Sequence, residues 1–519
     1  MTGEHILTGD GVTTSDGLPT RDGVTTGEGG GTMRSPGYTV GFESLRAETS
    51  VPSLPVRGTV PGWLDGTLVR NGPALYETGR SSLRHWFDGQ AMLHSFRIAD
   101  GAVSYRNRFL DTESCRSIRD RGRIGYAEFA TDPCGSIFSR YRARWRGRPT
   151  PNAAVSVAAI GERSVAMTET TMPVEFDAET LKTVGVLRWA DGLGGAMSTA
   201  HPHLDPTTGD AVNYALRFGR TSEYQVYRVR ADGPARQPIG AFRTTRPGYL
   251  HSFAITETRV VLVVFPLVVN PLALLLRDRP FIENFRWRPE LGTRIVVMDL
   301  RDGRVTGTYR TDPFFAFHHI NAYDEPDGGA VVLDICCYED ASVIDALYLD
   351  RLRGAAPARQ PYPTRYRVDL GTGEVRARRL AEQTLELPRI HYGGHNGRPY
   401  RYAYGVGAAD PAGSNFLDQL VKLDTATGRV TVWQQPGCYP GEPVFVPAPP
   451  ASDGGTAEDS SAEDGNAEDS GVILSVVLDA AAARSSLLVL DAASFTELAS
   501  ASLPHAVPFG FHGQFSRHP

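Results

Sequence analysis

The sequence predicts an all-β fold, and within that class a seven-bladed β-propeller with a loop and helical cap on one face. Three observations lead there. Glycine and proline are abundant, at 55 and 36 of 519 residues, which supplies the turns that many short strands need. A strand–turn–strand unit that ends its first strand on aspartate recurs along the chain. Four histidines in apolar or glycine-rich settings lie far apart in sequence, and a ring of blades brings such distant positions to one axis.

Taken in order, residues 1–36 are rich in Gly, Thr and Asp and repeat Asp10-Gly-Val-Thr-Thr14 at Asp22-Gly-Val-Thr-Thr26. They carry too little apolar surface to offset their ordering entropy, so a disordered tail is expected. A single catalytic domain is expected over residues 37–519. Within it the repeat reads Phe96-Arg-Ile-Ala-Asp100, Val174-Glu-Phe-Asp177, Val229-Arg-Ala-Asp232 and Ile295-Val-Val-Met-Asp299. It continues with Tyr366-Arg-Val-Asp369, Leu420-Val-Lys-Leu-Asp424 and Leu487-Leu-Val-Leu-Asp491. Aspartate opens a turn by accepting from backbone N–H groups ahead of it, and the glycines that follow take positive φ.

The seven aspartates are 77, 55, 67, 70, 55 and 67 residues apart. A four-stranded blade needs about 40–50 residues, so the surplus is assigned to loops on one face. Near the end, residues 451–471 repeat Ala-Glu-Asp and Asp-Gly between two strand-like segments. They are read as a disordered acidic loop insertion, tolerable because closure cost grows slowly with loop length.

Composition excludes several functions. The net charge of −6 leaves no basic footprint for nucleic acid. The five cysteines, Cys115, Cys134, Cys336, Cys337 and Cys438, show no C-x-x-C spacing, which argues against a disulfide framework or structural zinc. A reducing cytoplasm is the simplest setting. No basic segment followed by an apolar core opens the chain, so no secretory signal is expected.

The histidine stretches are Thr199-Ala-His201-Pro-His203, Tyr249-Leu-His251-Ser-Phe253, Phe314-Phe-Ala-Phe-His318-His319-Ile-Asn321 and Phe509-Gly-Phe-His512-Gly513. Any one of them alone is better read as a strand end with a structural histidine. Interleaved with seven hairpins, they are expected to converge on the propeller axis and hold a metal. Neutral imidazole suits Fe, Zn, Cu and Ni, so ligand type alone does not choose the ion. Four neutral ligands in an octahedron leave two positions open, which suits a metal that meets dioxygen beside a substrate.

The chain resembles the carotenoid cleavage oxygenases, most of all the animal-like branch of β-carotene oxygenases and retinoid isomerohydrolases. The resemblance rests on Gly66-Thr-Leu-Val-Arg-Asn-Gly-Pro73, His85-Trp-Phe-Asp-Gly-Gln-Ala-Met-Leu-His94, Thr131-Asp-Pro-Cys-Gly-Ser-Ile-Phe138, Thr168-Glu-Thr170, Tyr402-Ala-Tyr-Gly405, Tyr439-Pro-Gly-Glu-Pro443 and the histidine stretches. It spans about Phe42 to the C-terminus. It implies an iron(II) held by His201, His251, His318 and His512, with His318 rather than His319 as the ligand and His203 unassigned. It also implies that Glu169, Glu386 and Glu442 accept from the outer ring nitrogens of three of the histidines and so orient them.

The activity so implied is cleavage of a conjugated C=C bond of a carotenoid by dioxygen to two carbonyl products, with β-carotene to retinal the first expectation. The rivals are ester cleavage with isomerisation, as in retinoid isomerohydrolases, and a propeller that binds a partner without catalysis. A monomer in the cytoplasm, peripherally attached to membrane, is expected. The attachment is assigned to Pro266–Leu276, the second half of the most apolar stretch in the chain, whose first half reads as a buried strand. Phe138–Trp145, with interleaved arginines, is read as a surface loop, and Cys134 lies in a motif that some animal relatives are thought to lipidate.

Overall fold

The structure is a computed structural model that describes residues 37–79, 81–133, 150–276, 279–354, 359–413, 415–450 and 467–518. The expected tail at 1–36, Cys134, the arginine-rich loop and residues 451–466 of the acidic insertion lie outside the described residues. All described residues belong to the unit Ser35–Pro519.

Seven antiparallel sheets of four to six strands form the blades of a propeller. Blade 2 runs from Ser156–Ile160 to Thr183–Val186, blade 3 from Met197–Ser198 to Arg236–Thr244, and blade 4 from Ala254–Ile255 to Val305–Thr311. Blade 5 runs from His319–Asp324 to Val375–Arg379 and blade 6 from Glu386–Arg389 to Val430–Trp433. The ring closes twice over. In blade 1 the last strand of the chain, Gly513–Ser516, pairs with Gly66–Leu75. In blade 7 the early strand Val56–Gly58 pairs with Glu497–Ser502. Each closure joins the two ends of the chain, so no blade edge at the seam is left open.

All seven repeat aspartates fall at the same place, the hairpin between the third and fourth strands of each blade counted from the axis. Five of them close it as expected. Asp177, Asp299, Asp369, Asp424 and Asp491 each accept from a backbone N–H two or three residues ahead, at 2.7–3.0 Å. Gly303, Gly373 and Gly428 take φ of 70–79° in the turns that follow. Asp100 instead adopts positive φ itself, at 51°, and Asp232 pairs with Arg230.

The blades are held by apolar faces. Arg259–Val264 in blade 4 carries an unbroken apolar run, mostly valine, whose Val260, Val261, Leu262 and Val263 are fully buried. A continuous run, rather than alternation, is what a strand covered on both faces requires. Burial of each such side chain stabilises by about 1.5–3 kcal/mol.

The segment that follows differs from the expectation in extent. Pro266, Leu267 and Val269 are buried, because Leu267–Val268 pairs with Arg286–Trp287. Outward exposure begins at Asn270 and continues in the short helix Pro271–Leu276, where Leu272 is 61% exposed. The acidic insertion is also shorter than expected. Val444–Pro447 pairs directly with Gly471–Val472 and beyond, and residues 467–470 form a turn. Glu468 accepts from the backbone of Arg401 and Tyr402, and Asp469 pairs with buried Lys422 at 2.6 Å.

Loops and short helices gather on one face. Trp86 and Leu349 are tied by backbone bonds to Leu347 and Arg84, and Arg353 donates to the carbonyl of Phe42 at 2.6 Å. This cap encloses the end of the axis where the histidines lie.

Candidate metal centre

Each of the four candidate ligands stands just ahead of, or within, the innermost strand of its blade. His201 lies between Met197–Ser198 and His203–Leu204 in blade 3. His251, His318 and His512 precede Ala254–Ile255, His319–Asp324 and Gly513–Ser516 in blades 4, 5 and 1. The glutamates come from the other three blades: Glu169 follows Arg163–Met167 of blade 2, Glu386 opens the inner strand of blade 6, and Glu442 precedes Val444–Pro447 in blade 7.

Local bonds fix the histidine backbones. Thr199 Oγ1 accepts from His201 N at 3.1 Å and donates to the carbonyl of His251. Pro202 restricts the backbone of His201 ahead of it. His512 N donates to Val155 O at 3.1 Å.

The four ring nitrogens lie within 4.8 Å of one another. His201 Nε2 is 3.1 Å from His251 Nε2, and His318 Nε2 is 3.2 Å from His512 Nε2. Their outer nitrogens face the glutamates. His251 Nδ1 donates to Glu169 at 2.7 Å, His318 Nδ1 to Glu386 at 2.5 Å, and His512 Nδ1 to Glu442 at 2.7 Å. The structure therefore brings together all seven residues singled out in the sequence, and it pairs each glutamate with one histidine. The neighbouring histidines point elsewhere. His319 Nδ1 bonds Ser252 Oγ at 2.8 Å, and His203 Nε2 bonds the carbonyl of Phe253 at 2.9 Å.

This donor set fits a metal ion. An ionised carboxylate only accepts, so in each His–Glu pair Nδ1 carries the proton and Nε2 presents a lone pair. The lone pairs of His318 and His512 then face each other across 3.2 Å with no proton between them. Alone they repel; a divalent cation at their meeting point turns that repulsion into coordination. Protonation is suppressed as well. Burial and the neighbouring histidines hold His201 well below the ordinary imidazole range. Burial lowers His512 to about 4 against the pull of Glu442.

Glu442 and Glu386 are kept ionised in two different ways. Burial would raise both, yet Arg389, His512 and Arg70 bring Glu442 down to about 2, and His318 with its neighbours holds Glu386 low. Glu386 also accepts from Tyr338 OH at 3.0 Å, as Glu169 does from Tyr249 OH at 2.6 Å. Among the described residues Glu442 has no tyrosine donor; it is ion-paired with Arg389, whose Nε lies 3.1 Å away without forming a hydrogen bond, and accepts from Gly513 N at 2.8 Å. Leu387, beside Glu386, sits at φ 49°, a conformation costly for a branched residue, and its N–H turns onto the Glu386 carboxylate. Tyr338 and Arg389 were not singled out in the sequence; Tyr249 lies in the His251 stretch and Arg70 in the Gly66–Pro73 motif, but neither was given a role there.

The cap side of the cluster is aromatic. Phe87 stacks on His251 at 5.9 Å, Phe317 meets it edge-on at 5.3 Å, and Phe511 and Trp86 lie 4.5 Å apart behind Phe87. An apolar wall around bare lone pairs excludes water from the centre and accepts a hydrocarbon.

Comparison with known proteins gives a consistent result. Residues 42–517 match the family described as retinal pigment epithelial membrane protein. The chain is 36% identical to the carotenoid isomerooxygenase of Galleria mellonella, over 89% of this chain and 92% of that one. It is 33% identical to the mitochondrial carotenoid-cleaving dioxygenase of Macaca fascicularis, over 89% and 91%. It is 32% identical to the β,β-carotene 15,15′-dioxygenase of Mus musculus, over 89% and 88%. The solved structure of a cobalt-substituted Synechocystis apocarotenoid oxygenase superposes with a TM-score of 0.79 at 26% identity, covering 93% of this chain and 98% of that one.

Proposed function

The chain belongs to the retinal pigment epithelial membrane protein family of carotenoid oxygenases, and on that premise we propose that it is an iron(II)-dependent dioxygenase that cleaves a conjugated C=C bond of a carotenoid into two carbonyl products. The observation that carries the reading is the convergence of four imidazole nitrogens within 4.8 Å. Three of these rings are locked by carboxylates into the tautomer a metal needs.

In this reading His201, His251, His318 and His512 hold the iron, and Glu169, Glu386 and Glu442 orient their rings. Iron(II), when bound, supplies dioxygen binding and activation without an acid or base from the protein. The chain does the rest by position. Glutamate-bound Nδ1 protons keep each Nε2 lone pair aimed inward. Phe87, Phe317 and Phe511 present stiff apolar surfaces that align a polyene next to the centre and keep water out. Neutral ligands leave the full charge of the ion at the open positions, which a carboxylate ligand would partly cancel.

A carotenoid is a long apolar polyene that partitions into lipid, so extraction from a membrane is part of the proposal. Among the described residues no helix is long and apolar enough to span a bilayer. Pro271–Leu276, with exposed Leu272, is assigned instead as a peripheral contact of a monomer working from the cytoplasm. β-Carotene, cut centrally to retinal, is the first substrate to try. Labelled dioxygen tests the reaction class: the oxygenase incorporates label into the carbonyl products, whereas ester cleavage with isomerisation incorporates none.

A further inference from the structure

We propose that Arg70 is a positioning residue of the metal centre: its guanidinium ties the segment that carries Glu442 to the segment that carries His512, and so sets one of the four ligands in place. The proposal rests on the metal reading of the histidines and gives a task to the Gly66–Pro73 motif, which that reading leaves unused.

Arg70 lies in the strand Gly66–Leu75 of blade 1 and is 5% exposed. Its Nη1 donates to the carbonyl of Glu442 at 2.9 Å, and its Nη2 donates to the carbonyl of Phe511 at 3.0 Å. The first acceptor belongs to blade 7. The second lies one residue before His512, in the stretch that leads into the closing strand Gly513–Ser516. Backbone bonds continue the junction: Asn71 N donates to His512 O at 2.9 Å, and Phe511 N to Asn71 O at 3.1 Å. Gly513, the strand partner of Arg70, then donates to the Glu442 carboxylate at 2.8 Å.

The neighbouring sequence makes room for this side chain. A Cβ on Gly513 would stand 2.7 Å from Arg70 Cγ, and one on Gly441 would stand 3.3 Å from both Nη atoms. The first leaves no space for a methyl group and the second crowds the guanidinium. The glycines of the Tyr439–Pro443 and Phe509–Gly513 stretches therefore let two chain segments close on one arginine.

Two carbonyls from separate segments suit a planar fork, whereas an ammonium is a single point donor. Removing the fork leaves buried carbonyls without their donor, which costs more than the bonds themselves contribute. The two segments are then less tightly joined, and the His512 ring, held at Nδ1 by Glu442 at 2.7 Å, loses its fixed direction. The other three candidate ligands stand on blades 3, 4 and 5, and His251 and His318 keep their glutamates on blades 2 and 6. The expected defect is thus selective for one ligand.

The test uses full-length protein loaded with cobalt(II), whose visible d–d bands report coordination number and geometry. Arg70→Met keeps an unbranched apolar stem and removes the fork. It should bind cobalt about 10-fold more weakly than wild type and shift the bands toward those of His512→Ala. Arg70→Lys keeps the charge and one of the two bonds, and should fall between wild type and Arg70→Met in both measures. Leu68→Ala controls for a merely structural role: Leu68 is in the same strand, fully buried in an apolar cluster that contains none of the candidate ligands. It should lower Tm and leave cobalt affinity and bands unchanged. Wild-type bands and affinity in Arg70→Met, or a shift in Leu68→Ala as large as in Arg70→Met, would overturn the proposal. If Arg70→Met does not fold, wild-type bands and affinity in Arg70→Lys would overturn it. A wild type that takes up no cobalt fails the metal reading and the proposal together, whereas normal uptake with an unshifted Arg70→Met fails the role of Arg70 alone.

Discussion

Replacing Glu442 and Glu169 by glutamine should damage metal binding alike but stability unequally. Both carboxylates accept from a candidate ligand at 2.7 Å. Loss of such a partner costs about 10- to 100-fold in metal affinity, so each variant should lose metal to a competing chelator within that range. Their other contacts differ. Glu169 takes its second bond from the neutral hydroxyl of Tyr249, and an amide oxygen can still accept there; a cost of about 1 kcal/mol in the metal-free protein is expected. Glu442 has a side chain with 0% exposure and faces Arg389, itself 27% exposed, with Arg70 close enough to lower its pKa. Glutamine at this position leaves buried Arg70 and half-buried Arg389 uncompensated and turns an N–H₂ group toward Arg389. Breaking a buried pair costs about 3–5 kcal/mol; partial exposure of Arg389 puts the expected value at the lower end. Urea denaturation of the metal-free variants reads the stability difference, and chelator competition reads the affinity. Equal stability loss in the two variants would refute the distinction drawn between an arginine-backed and a tyrosine-backed glutamate.

The same geometry predicts that His318→Ala abolishes stoichiometric metal binding, while His319→Ala, bonded to Ser252 instead, retains it; elemental analysis of purified protein separates the two. Burial, helped by nearby Asp88, pushes Glu128 up to about 8 from 4.5, so the folded state releases this proton later than the unfolded one. Its contribution to stability is full below pH 4.5 and is lost as pH rises to about 8. Glu128→Gln, which keeps an acceptor for Ser114 and Thr150, should therefore raise Tm relative to wild type by an amount near zero at pH 4.5 and largest near pH 8. Lys422→Met removes bonds to Asp469 and to the carbonyls of Ala492 and Ala493. It should destabilise by about 3 kcal/mol and speed proteolysis at the acidic insertion, with turnover unchanged.

The propeller was legible because its signal is local. Asp177, Asp299, Asp369, Asp424 and Asp491 each close a hairpin with their own next few residues, so the motif is written where it acts. The candidate ligands were legible for a related reason: each sits within two residues of an aromatic or proline in its own stretch of sequence. What the chain could not display was pairing between blades. Glu169 meets His251 across 82 residues, Glu386 meets His318 across 68, and Glu442 meets His512 across 70. Arg389 and Tyr338 look like ordinary strand residues, and only the assembled ring turns them onto a carboxylate. Pro266–Leu276 was read as one apolar patch because hydropathy does not register the partner strand Arg286–Trp287, which covers its first half.

X-ray absorption at the iron edge of protein loaded with one iron per chain tests the central claim most directly. The account predicts a first shell of nitrogen and oxygen with the multiple-scattering signature of four imidazoles, reduced to three in His251→Ala if any iron remains. A sulfur or carboxylate-dominated shell, or full iron content and turnover in His251→Ala, would contradict it.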